Sequence, residues 1–104
     1  MRSFAWLFWC AAMVLGQSGA RAETIRVEIS RILFAPAAIK ARVGDVVEWV
    51  NSDFVAHTAT ARDGRFDVVL EPGKSGRTTL QKAGMVDYYC RYHPNMSGRV
   101  SVNE

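Results

Sequence analysis

Cysteine and histidine are scarce in this chain, with two of each among 104 residues. Cys10 lies in an apolar N-terminal segment, so Cys90 stands alone in the body of the chain. An internal disulfide is therefore excluded there, and a single thiol in an exported protein needs another explanation. Long apolar runs are also missing. The stretch from Phe4 to Leu15 has twelve residues, well short of the roughly 20 that a membrane-spanning helix needs. Basic clusters are absent and the charges are scattered singly, so neither nucleic acid nor a strongly anionic membrane surface is indicated as a partner. No stretch keeps a helical period, and there is no internal repeat or low-complexity tract.

What the N-terminus does contain is a basic Arg2, the short apolar run, and a Gly/Ser-rich stretch ending in Ala20-Arg21-Ala22. That order is the pattern of a secretory signal. Residues 1–22 are expected to be removed before Glu23, which sends the protein to the periplasm with no membrane insertion afterwards. Cys10 is not a lipidation site, because bulky Phe8 and Trp9 precede it inside the apolar run. The remaining 82 residues, 23–104, suffice for one small domain. Arg2 and Arg21 leave with the signal, so 11 Lys/Arg then face 10 Asp/Glu, a net charge of +1. A monomer is expected.

From Glu23 onward the pattern is that of strands. Ile25, Val27 and Ile29 alternate with Arg26, Glu28 and Ser30, as in a half-buried strand. Ile39, Ala41 and Val43 alternate with Lys40 and Arg42 up to the turn pair Gly44-Asp45. VVEWVN (46–51), HTATA (57–61), FDVVL (66–70), GRTTLQ (76–81), MVDYYC (85–90) and GRVSV (98–102) follow, separated by turns at Asp63-Gly64, Pro72-Gly73 and Ala83-Gly84. Seven to eight short strands with Gly, Pro and Asp turns predict an all-β, small Greek-key β-sandwich. A chain of this size buries only about 60–65% of its unfolded surface, and without a disulfide a bound metal is the natural staple.

The residues for such a site lie in YYCRYHPNM (88–96), where Cys90, His93 and Met96 follow one another at intervals of three. Val86, Tyr88 and Cys90 share one face of their strand, and the next residues turn back toward the last strand. Thiolate, imidazole and thioether together suit copper, since both sulfur donors favour Cu(I). Zinc takes Cys and His but rarely Met, and structural zinc sites usually bring more cysteines. A trigonal plane of two His and one Cys with a weak axial Met defines the electron-transfer copper site. The second histidine can only be His57, some thirty residues upstream.

Together with VGDVVEWVNSDFVAHT (43–58), the segment YYCRYHPNMSGRV (88–100) resembles the cupredoxins, specifically the amicyanin-type small blue copper proteins. The resemblance covers Ile25 to Val102. It implies one type 1 copper ion held by His57, Cys90 and His93 in the plane and Met96 on the axis. It also implies that Asn51 ties the two ligand-bearing loops together and helps to fix the Cys90 side chain. The implied function is single-electron shuttling, Cu(II)/Cu(I), without substrate chemistry. Electrons would exit through His93 to transient redox partners (a dehydrogenase, a c-type cytochrome or a reductase) docking on a rim of Tyr92, Pro94 and Val55. Tyr92 stands where related loops often carry proline. Its backbone N–H is expected to point at the Cys90 sulfur, so that Tyr92→Pro would lower the reduction potential. Ala56 and Asn95 also depart from the usual proline and apolar residue.

Two other functions use the same residues. Periplasmic copper delivery or copper tolerance would need no redox partner, although delivery sites tend to be exposed and rich in Met and His. A hydrolase with Cys90 as nucleophile and a histidine base leaves Met96 unexplained.

Overall fold

A computed structural model describes residues 21–104; the predicted signal segment, residues 1–22, lies almost entirely outside them. The domain is a sandwich of two mixed β-sheets without a helix among the described residues. Among the described residues there are nine strands: β1 (Thr24–Ser30), β2 (Leu33–Ala35), β3 (Ala38–Arg42), β4 (Val46–Asn51), β5 (His57–Ala61), β6 (Asp67–Leu70), β7 (Ser75–Thr79), β8 (Gly84–Cys90) and β9 (His93–Asn103). One sheet has the order β2-β1-β4-β7 and the other β3-β9-β8-β5-β6. The β1–β4 and β3–β9 pairs are parallel and the rest antiparallel.

Alternation along the strands builds the core as the sequence predicts. Val27 and Ile29 of β1, Val47 and Trp49 of β4, and Val86, Tyr88 and Cys90 of β8 are all buried. Val43 departs from the pattern and is exposed, because β3 ends at Arg42 and the chain turns through Gly44 at φ 98°. Strand β2 was not expected; it is only three residues long and too short to show a period.

Aromatic side chains fill the centre of the sandwich. Trp49 meets Tyr88 edge-on at 5.5 Å between centroids, Phe34 meets Tyr88 at 4.7 Å, and Phe66 leans on Trp49 at 5.4 Å. Burial pushes the Tyr88 phenol up to about 12. The Tyr88 ring lies so close to β9 that a Cβ at Gly98 would fall 2.5 Å from its Cζ and hydroxyl oxygen. Alanine in a strand normally gains about 0.5–1 kcal/mol over glycine, but overpacking a core costs about 1–3 kcal/mol. Gly98→Ala is therefore expected to destabilise, with Tm falling about 4–8 °C per kcal/mol in a domain of this size. A thermal melt with unchanged or raised Tm would show that the ring moves aside freely.

Candidate metal centre

His57, Cys90, His93 and Met96 fall at one end of the second sheet, whereas Asn51 ends β4 of the first. Cys90 closes β8, which lies between β9, beginning at His93, and β5, beginning at His57. The strand order thus places a histidine on each side of the thiol. Residues 33 apart in the chain become neighbours, which no local spacing could reveal.

The turn between Cys90 and His93 is tighter than the sequence suggests. Cys90 pairs directly with His93, leaving only Arg91 and Tyr92 between them. The next pair is Tyr89 with Ser97, so Pro94, Asn95 and Met96 oppose no residue of β8. This bulge carries Met96 inward, where it is buried. Pro94 falls at a point where the ladder requires no N–H from it, the kind of position proline tolerates in a sheet.

Both imidazoles turn Nδ1 toward the thiol. Cys90 Sγ lies 3.7 Å from His57 Nδ1 and 3.6 Å from His93 Nδ1. The three ligand atoms all fall within 4.8 Å of one another. Metal–nitrogen and metal–sulfur bonds of about 2.0–2.3 Å at trigonal to tetrahedral angles give N···S separations of about 3.6–3.8 Å. The three donors are therefore spaced as ligands of a single ion would be. Cys90 and His57 are completely buried and His93 is half-buried, its ring 4.9 Å from that of His57.

A carboxylate that sequence reasoning missed orients His57. Asp53 Oδ2 lies 2.8 Å from His57 Nε2. Asp53 also accepts the backbone N–H groups of Arg31 at 2.8 Å and Ile32 at 3.0 Å. Burial acts to raise the Asp53 pKa, but the Ile32 amide, His57 and the Arg31 amide outweigh it and hold the carboxyl below its usual range. The ionised carboxylate can only accept, so Nε2 carries the imidazole proton and Nδ1 keeps its lone pair toward Cys90. The amides it captures belong to a strained turn, with Arg31 at φ 55° and Ile32 at φ 60°.

Asn51 plays a different part from the one expected. Its Nδ2 donates to the carbonyls of Val55 at 2.9 Å and Leu70 at 3.0 Å, and its Oδ1 accepts the Asp53 N–H at 2.9 Å. It pins the loop leading to His57 against the end of β6 and makes no hydrogen bond to the Cys90 turn. That bridge is supplied by Thr58, which no local motif marks. Its N–H donates to Cys90 Sγ at 3.3 Å and its hydroxyl accepts the Arg91 N–H at 2.8 Å. The expectation for Tyr92 is corrected in the same way. Tyr92 is half exposed at the tip of the turn, and the backbone amide on the sulfur is that of Thr58.

A buried thiol flanked by two inward-facing imidazoles on a β-sandwich is what a copper-site family would be expected to show. A family profile described as a cupredoxin-like domain matches residues 3–102, and the chain belongs to that family. Within it, the amicyanin of Paracoccus versutus is 28% identical over 90 residues, which span 78% of this chain and 66% of that protein. The chain thus covers just under two thirds of that relative's length. The methylamine utilization protein MauL of Methylorubrum extorquens is 32% identical over 79 residues, 72% of this chain and 69% of that protein. Among solved structures, the reduced state of an amicyanin variant superposes with a TM-score of 0.68 at 27% identity, covering 77% of this chain and 82% of that one.

Proposed function

We propose that this protein is a periplasmic blue copper carrier that moves single electrons between redox proteins. The observation that carries the reading is the pair of Nδ1···Sγ separations of 3.7 and 3.6 Å around a buried cysteine. His57, Cys90 and His93 would hold the ion, and the buried Met96 would add a weaker thioether donor. Copper held there would supply a one-electron Cu(II)/Cu(I) couple. The protein's contribution is rigidity. His57, Cys90 and His93 each begin or end a strand, and Asp53, Asn51 and Thr58 fix the loops between them, so little needs to rearrange when the charge changes.

Burial favours electron transfer over delivery, because a carrier that hands copper on needs an accessible, exchangeable site. His93, half-buried between exposed Tyr92 and Pro94, is the exit to the surface. Val55 and the almost fully exposed Phe54 add apolar area to the loop before His57. Docking there would be small and transient. One relative is named as a methylamine utilization protein, which favours a dehydrogenase as donor; a c-type cytochrome or reductase would then be the acceptor. Export with cleavage before Glu23 would set the new α-amino group against Asp45, whose Oδ1 lies 2.9 Å from the Glu23 nitrogen.

Adding Cu(II) to residues 23–104 is expected to give an intense blue colour from thiolate-to-copper charge transfer and a reversible one-electron wave at an electrode. Cys90→Ser should abolish the colour while leaving the fold intact. A colourless complex, or one stripped readily by a chelator, would favour delivery and defeat this reading.

A further inference from the structure

The ladder between β5 and β8 stops at Thr60–Tyr89, one pair short of the metal-binding turn. Beyond it, a closed circuit of hydrogen bonds takes over. The Arg91 N–H donates to Thr58 Oγ1 at 2.8 Å, and Thr58 Oγ1 lies 2.9 Å from Thr60 Oγ1. Thr60 donates to Asp67 Oδ1 at 2.7 Å. Arg91 Nε donates to that same oxygen at 3.2 Å, so the circuit returns to the residue where it began. Thr60 and Asp67 are register partners across β5 and β6, which fixes their separation independently of the turn.

The protons in this circuit have one possible order. The Thr60 hydroxyl, opposed by burial and helped by Arg91, holds Asp67 below the usual carboxylate range, so it is an acceptor only. Thr60 spends its single proton on Asp67 and must accept from Thr58. Thr58 spends its own on Thr60, which leaves its lone pairs for the Arg91 N–H. Thr58 is also the residue whose N–H reaches the Cys90 sulfur. An exposed ion pair such as Arg91–Asp67 contributes little alone. Its effect here is to close the circuit.

We propose that Asp67 is a positioning residue for the metal-binding turn: by ending the Thr58–Thr60 hydroxyl chain and clasping Arg91, it holds the Arg91 amide on Thr58 and the Thr58 amide on the Cys90 sulfur. The structural half of this proposal concerns the metal-free protein, and only its electronic half rests on the copper reading.

The test compares Asp67→Ala with Asp67→Asn in residues 23–104. Asparagine still offers an oxygen to Thr60 and Arg91, whereas alanine offers none. In the metal-free protein, Asp67→Ala is expected to speed hydrogen exchange at the Arg91 amide by about tenfold, the scale of one lost hydrogen bond, with β1 and β4 amides unchanged. In the copper-loaded protein it is expected to lower the reduction potential, because a weakened N–H to the thiolate leaves more electron density on sulfur. Asp67→Asn should stay near the parent in both. Unchanged exchange at Arg91, or acceleration spread evenly over both sheets, would overturn the proposal. If no blue complex forms, the copper reading falls while the exchange result still decides the role of Asp67.

Discussion

Asp53→Ala is expected to weaken copper binding by about 10–100-fold, the usual cost of removing a group that orients a metal-bound histidine. Three effects act in the same direction. His57 loses the acceptor that keeps the proton on Nε2, so its Nδ1 is no longer committed to the metal. The Arg31 and Ile32 amides lose their shared acceptor. Their left-handed conformations, costing of order 1–3 kcal/mol each, are then no longer offset, least of all for the β-branched Ile32. Asparagine should not substitute well, since one carboxamide cannot face three N–H donors with acceptor atoms alone. Without the carboxylate the imidazole is also a weaker donor to Cu(II), so the reduction potential should rise. Competition against a chelator of known affinity reads the first effect and voltammetry the second. Affinity within about twofold of the parent would mean that packing alone orients His57, contrary to the general rule.

The parts of this protein that sequence could reveal are those written in local patterns. Alternation in Ile25–Ile29 and VVEWVN marks strands because side chains on a strand point to opposite faces, and Val27, Ile29, Val47 and Trp49 are buried accordingly. The spacing of Cys90, His93 and Met96 is likewise local. The groups that orient the ligands are not. Asp53 reads as a loop aspartate and Thr58 as one threonine of HTATA; each acquires its role only when β5 lies beside β8 and the β1–β2 turn folds over the loop. Asn51 ends the local motif VVEWVN, yet its amide is spent on Val55 and Leu70. The length of β9 was hidden as well. The sequence pattern marks only GRVSV (98–102) as the last strand, whereas the bulge opposite Tyr89 lets β9 begin at His93, before Pro94.

Trp49→Ala should remove a large part of the metal-free domain's stability and make its folding depend more strongly on copper. Trp49 is fully buried against Tyr88 and Phe66, and removing such a side chain costs about 3–5 kcal/mol. At about 0.05–0.15 kcal/mol per residue, a domain of this size has roughly 4–12 kcal/mol in total. The loss is therefore a large part of the whole, and at the lower end it is all of it. Tyr88 transmits the damage toward the site, because it is the buried residue two positions before Cys90 on the same face of β8. A ligand that binds only the folded state adds stability by mass action, about 4 kcal/mol at a thousandfold excess over Kd. The His57, Cys90 and His93 ligand atoms come from three strands and meet only in the folded chain, so copper should recover most of what the mutation removes. Urea titrations followed by circular dichroism, with and without Cu(I) under anaerobic conditions that protect the thiol, would measure it. The midpoint should move upward in both the parent and Trp49→Ala, with the variant's metal-free midpoint well below that of the parent. Coincident titrations with and without the ion would mean that these three residues do not capture it when folded, and the metal-centred account of the fold would fail with them.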